Sequence, residues 1–149
     1  MSYLDSIGEI VLYKAKIHWI IFIKPIVALF FGFFSIIIAS KFYMTILVVL
    51  GIVLLIYGII ATIGCFIYKI STELGILEKR VVGKWGFIKR NTIELKLDKT
   101  ESARIEQSIL GRILNYGTVI IIGTGGSPTP FKFIANPLEF RKKLYEILN

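Results

Sequence analysis

Along this chain of 149 residues the spacing of apolar positions changes near Tyr68. From Pro25 to Tyr68, forty-four residues carry one charge, Lys41, whereas the eighty-one residues from Lys69 to Asn149 carry fourteen Lys/Arg and eight Asp/Glu. The first stretch is apolar on every face, which in a helix marks a deeply buried core or a membrane span. A bilayer core of roughly 30 Å takes about 20 helical residues. Residues 42–68 supply twenty-seven, and residues 17–40 supply a second span once it is extended back from Pro25 through Trp19–Ile23. That extension includes Lys24, whose stem can carry its ammonium out to the headgroups. His18 and Trp19 suit the interfacial belt beside it.

Between the spans the only polar interruption is Ser40-Lys41-Phe42-Tyr43, so a tight antiparallel hairpin is predicted. Ala28, Gly32, Ser35 and Ala39 recur every three or four positions in the first span, as do Gly51, Gly58, Ala61 and Cys65 in the second. Stripes of small residues let helix backbones approach closely in lipid, either within the hairpin or between copies. Ile38-Ala39-Ser40 has the small-residue character of a signal-peptide cleavage site. The basic residues lie far from the start, however, and another long span follows at once, which argues for retention.

Beyond Tyr68 the pattern becomes that of strands. Ile76–Val82 reads as a strand with charged residues facing out, Gly83-Lys84-Trp85-Gly86 as a turn, and Phe87–Leu97 as an alternating strand. Ser102–Gln107 alternates again, Ile109–Leu114 reads as a short helical turn, and the β-branched run Thr118–Ile122 as a buried central strand. Gly123-Thr-Gly-Gly-Ser-Pro is turn chemistry, with Thr129–Ile134 as the returning strand. Asn136 and Pro137 open a terminal amphipathic helix carrying Phe140, Leu144 and Ile147 on one face. The domain plan is therefore a cytoplasmic N-terminal segment at 1–16, spans at 17–40 and 42–68, and a β-rich domain at 70–149 closed by its last helix. The fold class is α+β: a membrane hairpin followed by a small β-sandwich or barrel.

Composition sharpens this division. The chain is 55% apolar and 19% charged, with a mean hydropathy of +0.73, against about 45–50% and 25% in soluble domains. Four Pro and one Cys exclude collagen-like and disulfide-framework classes. The net charge of +8 could suggest a nucleic-acid partner. Its distribution points elsewhere: Lys14, Lys16 and Lys24 precede the first span, Lys69, Lys79, Arg80 and Lys84 follow the second, and the hairpin tip holds only Lys41. That asymmetry predicts both termini in the cytoplasm, so no nucleic-acid partner is expected.

Several runs carry a resemblance. Thr72-Glu-Leu-Gly-Ile-Leu-Glu-Lys-Arg-Val-Val82, Arg104-Ile-Glu-Gln-Ser-Ile-Leu-Gly-Arg-Ile-Leu-Asn-Tyr-Gly-Thr-Val119, Gly123-Thr124-Gly125 and Asn136-Pro137 are similar to the bacterial pleckstrin-homology (PH)-like domain proteins with a transmembrane hairpin. Glu9, His18, Trp19 and Pro25 resemble the amino-terminal pattern of that family. The resemblance covers nearly the whole chain. It implies two roughly orthogonal antiparallel sheets, seven strands in all, capped by the last helix, in a multi-pass protein of the bacterial inner membrane.

Catalytic chemistry is poorly provided for. The single His18 and single Cys65 both fall at or inside the predicted spans, which leaves no metal cluster and no hydrolytic triad. Gly123-Thr-Gly-Gly lacks the following Gly-Lys-Ser/Thr of a phosphate loop. No enzyme activity and no cofactor are expected. The candidate contact residues are Lys79, Arg80, Lys84, Trp85, Lys89 and Arg90, with Trp85 placed at a turn tip. Eukaryotic relatives that bind inositol phosphates use basic residues of the corresponding hairpin, but Lys89-Arg90-Asn91 departs from their spaced Lys/Arg-x-Arg motif. Arg104, Gln107, Arg112, Asn115 and Tyr116 form the signature cluster of the resemblance, either as a binding site or as a loop brace. The leading expectation is a PH-like protein-interaction or assembly module, with a protein partner or a second copy. Sensing of anionic lipid or an amphiphile is the alternative, and a small pore-forming hairpin a distant third.

Overall fold

The computed structural model describes residues 4, 7–42, 44–123 and 128–148. The chain forms two compact units: one joins the residues up to His18 with those from Ile70 onward, and the other is Trp19–Lys69.

The helical unit opens with a 3-10 turn at Trp19–Phe22, continued by α1 (Ile23–Phe42); α2 (Thr45–Ser71) follows. The first helix runs to Phe42, so the connection is shorter than the predicted four-residue turn; its Tyr43 lies outside the described residues. The two small-residue stripes meet. A Cβ on Gly32 would sit 3.0 Å from the Gly51 carbonyl oxygen, and one on Gly51 would sit 2.6 Å from Ile36 Cγ1. Ser35 Oγ donates to Leu47 O at 2.8 Å, and Cys65 Sγ to Ile21 O at 3.2 Å. Close backbone approach thus replaces side-chain interdigitation along this seam.

The other unit holds seven strands among the described residues. The first sheet has the order β1 (Val11–Ala15), β2 (Glu73–Leu77), β3 (Arg80–Trp85) and β4 (Asn91–Lys96). The second has β5 (Thr100–Glu106), β6 (Tyr116–Gly123) and β7 (Thr129–Ala135). All pairings are antiparallel. A 3-10 turn at Leu97–Lys99 joins the sheets, α3 (Ile109–Ile113) joins β5 to β6, and α4 (Pro137–Leu148) ends the unit. Leu74, Ile76 and Val81 from the first sheet, Ala103, Val119, Ile121 and Phe131 from the second, and Phe140 and Leu144 from α4 form one core.

Three sequence expectations need correction. The segment 1–16 is not separate from the β domain: β1 pairs with β2, Ala15 opposite Leu74, and Leu4 is fully buried over Leu77 and Val82. The helical pair is therefore inserted between the first two strands of one sheet. A strand separated from its partner by fifty-seven residues, Ala15 to Glu73, leaves no local turn signal.

Secondly, Ile76–Val82 is not one strand, because the chain reverses at Glu78-Lys79. Leu4 covers the outer face here, so both faces of the sheet are apolar and the alternation that would mark the reversal is lost. Thirdly, Gly83-Lys84-Trp85 lies inside β3. Gly83 stands mid-strand because the ring of Phe131 occupies its Cβ position, with Cζ only 2.3 Å away. The turn Thr124–Ser127 lies outside the described residues.

Candidate functional site

The six proposed contact residues do not form one patch. Lys79 is exposed in the β2–β3 turn, and Arg80 opens β3 at the same end. Lys84 and Trp85 close β3, and Lys89 and Arg90 lie in the connection to β4. Four residue steps along β3, from Arg80 to Lys84, separate the two groups, roughly 13 Å at 3.3 Å per residue.

Arg80 is committed to structure. Its guanidinium donates to Glu94 Oε2 at 2.7 Å and from Nε to Glu9 Oε2 at 3.2 Å, with a second contact to Glu9 Oε1. The hydrogen bond from Arg80 holds the Glu9 carboxyl below its ordinary range, and the bonds to Glu9 and then Glu94 push the guanidinium up. Glu9 thereby ties the chain ahead of β1 to β3. The shallow depression around this triad, about 500 Å³, is lined by Glu78, Lys79, Lys96 and Asp98 as well. Alternating charges of that kind cancel the field a phosphate would need.

Trp85 is not at a turn tip. It packs half-buried against the core, edge-on to Phe131 with ring centroids 5.4 Å apart. The tip of the β3–β4 hairpin is instead Phe87-Ile88, with exposures of 57% and 97%. Gly86 shapes that tip: its φ is +91° and a Cβ would lie 2.1 Å from Lys89 O. Sequence reasoning assigned Phe87 to an alternating strand and missed the tip. The available signal was an apolar pair between a glycine and Lys89-Arg90, where solvated turns are normally polar.

The signature cluster divides. Gln107 Nε2 donates to Gly111 O at 3.2 Å and Tyr116 O at 3.0 Å, stapling α3 to the start of β6. Ser108 Oγ caps α3 by accepting from Gly111 N–H at 3.1 Å, the usual role of a serine at a helix start. Asn115, at φ +56°, donates through Nδ2 to Asn136 Oδ1 at 2.6 Å. Asn136 therefore opens α4 with its backbone carbonyl, which accepts from Glu139 and Phe140, while its side chain is engaged elsewhere. Tyr116 stacks with His18 at 5.3 Å and Phe133 at 6.4 Å. Arg104 and Arg112 are exposed and do not join these contacts.

What the brace supports is α3, a five-residue helix whose Ile109, Leu110 and Ile113 are 80%, 63% and 72% exposed. These residues resemble a core stripe in sequence, yet they face outward. A separate cleft of about 380 Å³ is lined by Gln107, Tyr116, Lys132 and Phe133 among others. In the helical unit Trp19 and Lys24 are exposed near its first turn. Among the described residues, no three His, Cys, Asp or Glu side chains gather to hold a metal.

The comparisons with known proteins bear on the family. No curated protein and no solved structure matches this chain. The family model described as "Bacterial PH domain" matches residues 22–148, from the start of the helical pair almost to the end of α4. β1 precedes the matched region although it completes the first sheet. With two antiparallel sheets, a terminal helix and a match across most of its length, the chain belongs to the bacterial PH domain family.

Proposed function

We propose that this chain is a non-enzymatic integral protein of the bacterial plasma membrane. Its two long helices cross the bilayer, and its PH domain is mounted on the cytoplasmic face as a docking module for a protein partner or a second copy. The observation that carries the mounting is the pairing of β1 with β2 across the inserted helices, Ala15 opposite Leu74. A chain that leaves one sheet for two antiparallel spans must return to the side it left. His18 is followed at once by the turn at Trp19, and only Thr72 separates α2 from β2. Crossing is supported by segments of 23 and 27 residues, Trp19–Lys41 and Thr45–Ser71, with mean hydropathies of 2.5 and 3.0. Their apolar side chains, such as Phe30, Phe33, Ile46 and Ile60, are mostly uncovered by protein, the condition that lipid relieves. Sidedness rests on the lysine and arginine excess beside the domain, against Lys41 alone at the hairpin tip.

The docking role rests on the apolar ridge of α3. Three exposed aliphatic side chains stand on a helix held by Gln107 and Ser108, and contiguous exposed apolar surface of this kind marks interaction sites. The test is a photo-crosslinking side chain at Ile113 in the full chain within native membranes. A discrete adduct is expected, lost on Ile109→Glu, with its mass separating a second copy from another protein. Labelling no greater than from the same probe at exposed Glu78 would remove the docking role.

A further inference from the structure

We propose that the β3–β4 tip is a membrane wedge: Phe87 and Ile88 insert into the interfacial layer of the bilayer, and Lys89 and Arg90 lie among anionic headgroups. The inference rests on the membrane reading above. It assigns the domain a second attachment that the spans do not supply.

Four observations carry it. The tip is built rather than slack, since Trp85 roots it against Phe131 and Gly86 fixes the turn through a conformation closed to other residues. Its most prominent side chain is aliphatic: Ile88 is almost wholly exposed, with Phe87 beside it. The two residues that follow are both basic and exposed, and each such charge near an anionic leaflet is attracted to it. Within the β unit, Glu73 pairs with Lys84 and Trp85 closes β3, so the tip lies at the Lys84 end of the first sheet. The Glu78-Lys79 turn lies at the opposite end, where Arg80 is neutralised by Glu9 and Glu94. An apolar tip with a basic collar matches a lipid interface, where aromatic and aliphatic groups sit below cationic ones.

The experiment uses the full chain with Cys65→Ala and single cysteines at Ile88, Glu78 or Ile59, each carrying an environment-sensitive fluorophore. The protein is reconstituted in vesicles of equal phosphatidylcholine and phosphatidylglycerol, with or without a quencher on the lipid chains. A label at Ile88 is expected to shift to the blue and to be quenched as a label at Ile59 in α2 is, while one at Glu78 stays water-like. Lys89→Glu with Arg90→Glu should reduce quenching at position 88 in these vesicles and change little in phosphatidylcholine alone. Quenching at Ile59 with a water-like signal at Ile88 overturns the wedge and leaves the spans intact. No quenching at Ile59 overturns the membrane reading itself, and the wedge with it. Insertion at 88 that ignores the charge reversal removes the role given to the basic pair.

Discussion

Cutting the β domain out at residue 70 should abolish its folding, although residues 70–149 contain six of its seven described strands. The missing piece is β1, which pairs with β2 at Val11, Tyr13, Lys14 and Ala15. If each pairing contributes one backbone hydrogen bond, at about 0.5–1.5 kcal/mol net, and the buried Leu4 side chain about 1.5–3 kcal/mol, the loss is about 4–9 kcal/mol. A domain of this size is stable by only about 5–15 kcal/mol in total. The loss also uncovers Leu77 and Val82 on the outer face and removes Tyr13 from its edge-on contact with Phe140 at 5.9 Å. Two soluble proteins test this: residues 70–149 alone, and residues 1–18 joined to 70–149 by a flexible Gly/Ser linker in place of the helical pair. Thermal melts by circular dichroism and amide-exchange protection should show a cooperative fold for the joined protein only. A cooperative melt of the 70–149 fragment at the same temperature would refute the claim that the domain is split by the helices.

Other positions give independent checks. Gly83→Ala places a methyl group against the ring of Phe131 and should cost about 1–3 kcal/mol by overpacking. Phe131→Leu withdraws the clashing atom, so the double variant should lose less than the sum of the two singles; simple additivity would contradict the contact. Gly51→Leu should lower the thermal stability of the full chain in detergent because it meets Ile36 and the Gly32 carbonyl. Gly64→Ala, where a Cβ meets nothing within 4 Å, should be tolerated. The depressed carboxyl of Glu9 predicts a pH-dependent contribution: its stabilisation is complete above the ordinary value of 4.5 and is lost as the pH falls through the lower folded-state value. Denaturation of wild type and Glu9→Gln should therefore differ at neutral pH and converge in acid, and a gap that persists in acid would assign the effect to something other than the Arg80 bond.

Much of the architecture was legible because single elements carry their own periodicity. The helical pair announces itself by length and lack of charge, β6 by its β-branched run, and α3 and α4 by their turn chemistry. What escaped prediction depends on partners distant in sequence. β1 is only five residues long, and its pairing partner β2 returns beside it only after the helices. The reversal at Glu78-Lys79 is hidden because Leu4 makes the outer face of the sheet apolar. Gly83 resembles a turn glycine until Phe131, forty-eight residues later, is seen to need its missing side chain.

The candidate surfaces follow the same rule. The candidate basic residues divide, because the strand direction separates Lys79 and Arg80 from Lys89 and Arg90, and two carboxylates take Arg80 out of play. Gly83 and Gly86 make Trp85 read as a turn tip in the sequence, whereas its indole packs edge-on to Phe131. The exposed side chains that now mark contact surfaces, Ile88 and the α3 ridge, are aliphatic. Sequence alone assigns such residues to a core, and only the fold shows that they lie outside it.

Sidedness of the whole chain is the central claim, and cysteine accessibility in intact cells measures it most directly. Single cysteines at Leu12 before the helices, Lys41 at their junction and Glu78 beyond them would be challenged with a membrane-impermeant maleimide. Position 41 should be labelled from outside, and positions 12 and 78 only after the membrane is opened. Labelling of 12 or 78 in intact cells, or opposite behaviour of those two positions, would contradict a hairpin inserted between paired strands of one cytoplasmic domain.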